Sequence, residues 1–152
     1  MPVPKKLLLP FANGIEYFNT FGGNPVSIAI GLEVLSVIKE EKLQENALAM
    51  GVYLKSEFKS LQKRYPIIGD PRGEGFFLGI ELTETRLVPA TEKTAYMANR
   101  MKAYGILMSV DGPQNNVLKI KPPMCFTKQN ADELLFYLER ILKEDMLLLN
   151  SV

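Results

Sequence analysis

Tyr17-Phe18-Asn19-Thr20-Phe21-Gly22-Gly23-Asn24-Pro25 is the stretch around which this chain is organised. Its two glycines let the backbone turn closely, or lie against a ligand, where a side chain would clash. Asn24 then reads as a helix N-cap and Pro25 as the first helical residue, where its missing N–H costs nothing. A Thr-x-Gly-Gly loop delivered onto a helix N-terminus can cradle an anion, because orphan N–H groups and the helix dipole point there. The same pattern also serves a plain tight turn at the start of a buried helix. On these residues alone both readings stand.

Downstream of the loop, Val26, Ile28, Ala29, Ile30, Leu32, Val34, Leu35, Val37 and Ile38 make an almost continuous apolar run, closed by Lys39-Glu40-Glu41. This predicts a long helix buried on most of its circumference, against another domain or subunit. Leu43, Ala47, Met50, Leu54, Phe58 and Leu61 recur at steps of three or four and predict a second helix, stopped by Pro66. Ile67-Ile68 reads as a short strand, Gly69 to Gly75 as a glycine-punctuated turn, and Phe76 to Leu82 as a strand.

Thr91 to Tyr104 has helical spacing through Ala95, Ala98 and Met101, with Gly105 as its C′ residue. Residues 106–110 and 117–121 are strands either side of the Asp111-Gly112-Pro113 turn signal. In the second of these Lys119 and Lys121 share one face, and Leu118 and Ile120 the other. Thr127 caps a last helix with Asp132 and Glu133 in its first turns and Leu134, Leu135, Leu138, Ile141 and Leu142 facing inward. The expected fold class is α+β: a small, mostly antiparallel sheet with helices packed on one face, preceded by the long buried helix.

Composition bounds the chemistry. The 152 residues suffice for one domain with a core, and 47% hydrophobic against 23% charged residues is ordinary for a globular protein. A net charge of +1 gives no electrostatic case for nucleic acid or an anionic membrane. Three leucines after Lys5-Lys6, ended by Pro10, are too few for a signal core or a membrane span, so the opening reads as an extended or disordered leader. The single cysteine, Cys125, excludes an internal disulfide and makes a cytoplasmic location the default. With no histidine, Ser-His-Asp and Cys-His arrangements, histidine-ligated metals and a histidine base are all excluded.

Four segments together resemble one family. Thr20-Phe21-Gly22-Gly23-Asn24-Pro25, Gly69-Asp70-Pro71-Arg72-Gly73-Glu74-Gly75-Phe76, Asp111-Gly112-Pro113 and Leu118-Lys119-Ile120-Lys121-Pro122-Pro123-Met124 look like the C-terminal part of class III aminotransferases, fold type I enzymes dependent on pyridoxal 5′-phosphate. Tyr17-Phe18-Asn19 and the wording from Asp111 to Phe126 resemble the phospho-lyase branch, alanine–glyoxylate aminotransferase 2-like proteins that act on phosphoethanolamine or phosphohydroxylysine. The resemblance implies that Thr20, Gly22 and Gly23 bind the cofactor phosphate, Thr20 through its hydroxyl and across a subunit boundary. It implies that Lys119 binds substrate, at a position where typical members carry an Arg that grips the α-carboxylate. Lysine cannot reproduce that bidentate fork, which suits a substrate without an α-carboxylate. Lys119 is equally readable as a solvated charge on an outer strand face. Arg72 reads as mainly structural.

The resemblance also implies an absence. The family's Schiff-base lysine and the acidic partner of the pyridinium nitrogen lie further upstream of the loop than this chain extends, so no catalytic residue is expected here and the chain alone is expected to be inactive. The expected layout is an unmatched leader at 1–10, whose start looks imposed by truncation, a cofactor-loop and long-helix region at 11–41, a C-terminal small domain at 42–146 and a tail at 147–152. The bare apolar helix implies a homo-oligomer, and the complete enzyme a small-molecule amine substrate, with transamination or phospho-lyase elimination as its reaction. The competing reading is a non-catalytic α+β interaction module, or a truncated gene product, that associates through the same helix.

Overall fold

The structure is a computed structural model that describes residues 5–10, 12, 14, 18–85 and 88–144. Tyr17, Phe11 and the tail after Glu144, to which the sequence assigned roles, lie outside the described residues. In chain order the elements are α1 (Lys5–Leu8), α2 (Pro25–Glu40), α3 (Leu43–Arg64), β1 (Ile68–Glu74), β2 (Phe77–Thr85), β3 (Val88–Pro89), α4 (Thr91–Ala103), β4 (Ser109–Asp111), β5 (Val117–Ile120) and α5 (Lys128–Glu144). They fall into two compact units, Met1–Val37 and Ile38–Val152.

In the first unit, Lys5–Leu8 form a single helical turn where an extended leader was expected. α2 begins at Pro25 as its capping signals require, but no residue of it is buried. The apolar run all round its circumference produced the expectation of a buried helix. Among the described residues nothing covers it: Val26 is 67% exposed, Leu32 61% and Leu35 63%.

The second unit is the α+β domain. Its strands run in the order β1-β2-β5-β4, every pairing antiparallel, with β3 paired to β2 off that path. Period-2 alternation decides the faces. Leu78, Ile80 and Leu82 of β2 and Leu118 and Ile120 of β5 are buried on one side. α3 packs on β1 and β2, α4 on β2, β4 and β5, and α5 packs against α3 and α4. Leu54, Phe58 and Leu61 of α3, Met97 and Met101 of α4, and Leu134, Leu138, Ile141 and Leu142 of α5 complete one core. Each such side chain contributes about 1.5–3 kcal/mol by leaving water.

Three local readings are corrected. Gly69 to Glu74 is not a turn but most of strand β1, which pairs with β2 through Arg72↔Gly79 and Glu74↔Phe77. β1 is an edge strand with a register shift between Ile68 and Pro71, so a proline without an N–H is tolerated there. On α4 the buried residues are Thr94, Met97 and the expected Met101, with Ala98 half-buried against the core and Ala95 exposed. Thr94 passes as core because its hydroxyl donates to the Ala90 carbonyl, 2.7 Å away. On α5 the first turn carries no acidic residue. Asp132 sits a turn later, paired with Lys128 at 2.8 Å.

Thr127 does cap α5. Its Oγ1 accepts from the Asn130 N–H at 3.3 Å, while Asn130 Oδ1 accepts from the Thr127 N–H at 3.0 Å, which is the reciprocal geometry of a capping box.

Candidate functional site

The residues singled out by sequence lie in two places, one in each compact unit. Thr20, Gly22 and Gly23 share one exposed loop. Asn19 shapes it: its Oδ1 accepts from the N–H groups of Phe21 at 3.2 Å and Gly22 at 3.1 Å. Gly23 has φ +75 and is required by the backbone, whereas a Cβ on Gly22 would press at 3.0 Å on the Asn19 side chain.

Asn24 caps α2, with Oδ1 accepting from Val26 N–H at 2.9 Å and Ser27 N–H at 3.4 Å. That has a consequence for anion binding. The donors that a helix N-terminus would aim at a phosphate are already held by Asn24, and two loop donors are held by Asn19. Among the described residues the Thr20 hydroxyl is exposed and without a hydrogen bond, and the N–H groups of Gly23 and Asn24 are likewise unbonded. As a test of fit to a cofactor phosphate, the loop therefore offers a neutral hydroxyl donor beside two unbonded backbone N–H groups, which is suitable chemistry for a dianion.

Lys119 lies on the face of the sheet opposite the helices. The register puts Arg72, Gly79 and Lys119 in one row across β1, β2 and β5. Adjacent strands are about 4.8 Å apart, so the two cations flank a glycine at roughly 10 Å backbone separation. With no side chain at Gly79 the row has a gap, and a groove of about 330 Å³ opens there, lined by Arg72, Phe77, Gly79, Asp111, Val117 and Lys119. A Cβ on Gly79 would meet Val117 at 3.0 Å and begin to fill its floor.

The two cations are held differently. Arg72 donates to Glu81 at 2.7 Å and to Asp70 at 3.1 Å, and so ties β1 to β2. Its guanidinium, together with the amide of the buried Asn116, holds the Glu81 carboxyl below the usual range. Lys119 donates to one carboxylate, Asp111 Oδ2, at 2.6 Å. Asp111 stands diagonally across the β4–β5 hairpin, because Ser109 pairs with Lys119 and Asp111 with Val117. The Lys119 ammonium, helped by the Gly112 N–H at 2.8 Å, lowers the Asp111 carboxyl pKa.

Phe77 is 62% exposed, and both Lys119 and Lys121 lie over its ring, at 6.0 and 5.8 Å from the centroid. A large exposed aromatic with two ammonium groups at its ring is a surface suited to an anion with a short apolar stem. Sequence reading singled out Lys119 but not Asp111 as its partner, Asp111 having served there as a turn signal and as part of the resemblance. The diagonal-neighbour rule would have found it once the hairpin register was known.

Comparison with known proteins adds the following. The family model for class-III aminotransferases matches residues 4–142. The chain is 50% identical over 127 residues to an alanine–glyoxylate aminotransferase 2-like protein of Drosophila melanogaster, a match covering 82% of this chain and 26% of that protein. It is 42% identical over 131 residues to ethanolamine-phosphate phospho-lyase homolog 1 of Caenorhabditis elegans, covering 84% and 28%. Among solved structures it superposes on an Arthrobacter phospholyase in complex with phosphoethanolamine with a TM-score of 0.83 at 38% identity, over 91% of this chain and 33% of that one. The chain thus spans about a quarter of the length of these curated relatives. Among the described residues no helix is long and apolar enough to cross a membrane.

Proposed function

Because the chain belongs to the class-III aminotransferase family, we propose that it supplies the cofactor-phosphate loop and the substrate-end groove of a pyridoxal-phosphate enzyme that eliminates phosphate from a small phosphorylated amine. The single observation that carries this reading is the Lys119–Asp111 pair in the groove. A paired, flexible ammonium cannot grip an α-carboxylate as a bidentate fork does, whereas a point charge suits a phosphate. The two phospho-lyase relatives support the same substrate class.

In this reading the Thr20 hydroxyl donates to the cofactor phosphate, with Gly22 and Gly23 keeping side chains out of its way. Lys119 orients the substrate's phosphate end, and Phe77 covers its stem. Arg72, tied down by Glu81 and Asp70, holds the groove's far wall. Pyridoxal phosphate, when bound, supplies the electron sink for bond breaking at the amine-bearing carbon. We assign the reactive amine to a lysine outside this chain: among the residues whose burial is described, no lysine is buried. We also propose that the working enzyme is a homo-oligomer covered along α2.

Transamination is the second reading, favoured by the aminotransferase 2-like relative in Drosophila. A free-standing interaction module has no support in the comparisons. The test is to graft this chain in place of the matching quarter of the Drosophila protein and to assay phosphate release from phosphoethanolamine alongside amino transfer to glyoxylate. Phosphate release that falls on Lys119→Met, chiefly through a raised KM, supports the proposal. Amino transfer without phosphate release, or Lys119→Met with unchanged KM, overturns it.

A further inference from the structure

The row of Arg72, Gly79 and Lys119 sets two cations beside one groove, but only one of them can change partners. Arg72 is bound on two sides, by Glu81 at 2.7 Å and Asp70 at 3.1 Å. Lys119 is bound on one side, by a residue at the start of a turn, and the pair is partly open to water, with side-chain exposures of 33% for Lys119 and 53% for Asp111. Such pairs contribute little net stability, so Asp111 holds the ammonium in place without locking it.

Resting on the reading of Lys119 as the substrate-end cation, we propose that Asp111 is a specificity-determining residue: an internal carboxylate that occupies Lys119 until a phosphate dianion displaces it, and that excludes monocarboxylates. The reason is a matter of charge and effective concentration. An incoming carboxylate carries the same single charge as Asp111 and makes the same hydrogen bond, but Asp111 is already tethered 2.6 Å from the ammonium, so the exchange gains nothing. A phosphate dianion brings twice the charge and three acceptor oxygens. It also draws on Lys121, which shares the strand face of Lys119, lies over the same Phe77 ring and has no ion-pair partner among the described residues. Two ammonium groups bridged by one dianion make a better arrangement than one ammonium held by one carboxylate.

Released Asp111 does not collapse its own turn. Its Oδ1, which accepts from the Gly112 N–H at 2.8 Å, is a different atom from the Oδ2 that holds Lys119. An Asn at this position keeps the turn bond through its amide oxygen, and puts a neutral NH2 donor where the charged acceptor faced Lys119. Asp111→Asn is therefore a variant that isolates the proposed role.

The test follows the Lys119 Cε and Asp111 Cγ resonances of the full chain while inorganic phosphate or acetate is added at constant ionic strength near pH 7.5. In the wild type, phosphate is expected to move both resonances and acetate neither. In Asp111→Asn, phosphate is expected to bind about two- to fivefold more tightly, the range an exposed ion pair accounts for, and acetate to become able to move Lys119. Acetate acting like phosphate on the wild type, or an unchanged phosphate-to-acetate preference in Asp111→Asn, would overturn the proposal. So would phosphate moving Lys119 while Asp111 stays put, although that result leaves Lys119 as the substrate-end cation. If phosphate fails to move Lys119 in either protein, the underlying reading of the groove falls as well.

Discussion

Gly51, midway along α3, lies directly under the backbone of Gly75 at the β1–β2 turn: a Cβ built on Gly51 would sit 2.3 Å from the Gly75 carbonyl oxygen. This contact lets α3 close against the hairpin that carries Arg72 and Phe77. Two effects oppose each other in Gly51→Ala. Helix propensity favours alanine by about 1 kcal/mol. Overpacking against a backbone that cannot swing aside costs about 1–3 kcal/mol. The clash should win, so urea unfolding is expected to show a net loss of about 1 kcal/mol or more; a gain in midpoint would mean that α3 can move off the hairpin freely.

The two helix caps should behave differently under the same substitution. Thr127→Ala removes the hydroxyl arm of the capping box, leaving the Thr127 N–H to Asn130 Oδ1, and is expected to lower the stability of the α+β unit by about 1 kcal/mol. Asn24→Ala acts on the other unit, so its readout is local. Amide exchange at Val26 and Ser27 should speed up, while the urea midpoint of the core stays where it was. Equal effects of the two changes on that midpoint would contradict the division between units.

Glu81 gives the fold a pH dependence of known sign. Its folded carboxyl pKa is lowered, first by Arg72 and then with help from Asn116. A depressed folded value means stability that is present above the unfolded glutamate value of about 4.3 and is lost as pH falls through the lower folded one. The wild type should therefore exceed Glu81→Gln by under about 1 kcal/mol at pH 7, since the pair is partly solvated. The gap should close below about pH 4. Urea midpoints measured for both proteins between pH 7 and 3 decide it, and a gap independent of pH would remove the ion pair from the account.

What the sequence made legible follows from which signals are local. The chain alternates from Leu118 to Lys121, so Leu118 and Ile120 were assigned to one face, and Lys119 and Lys121 to the other, without knowing any partner strand. β1 was misread because glycine and proline normally punctuate. Only its position at the sheet's edge, a property of the assembled fold, makes Pro71 acceptable in a strand. On α4 Thr94 was missed because it is polar, and its burial depends on a bond to Ala90 that no apolar pattern reveals. The loop with Thr20 was found by its glycines and by Asn24. Asp111 was missed as the partner of Lys119 because the two are eight positions apart and meet only through the hairpin register.

The exposed apolar surface of α2 yields the sharpest assembly prediction. Val26, Ile30, Leu32, Val34 and Leu35 are each more than half exposed on a helix with no buried residue. Contiguous apolar surface of this kind drives association, because every large side chain removed from water contributes about 1.5–3 kcal/mol. Sedimentation of the chain should show a concentration-dependent dimer or larger species. Leu32 and Leu35 are three residues apart and share a face, so Leu32→Lys with Leu35→Lys places two charges in any interface built there while keeping good helix formers. The double variant should weaken association at least about tenfold, with circular dichroism unchanged. A wild-type chain that sediments as a clean monomer at high concentration would remove α2 as a self-association surface, leaving the Lys119 groove untouched because that groove is built wholly within the α+β unit.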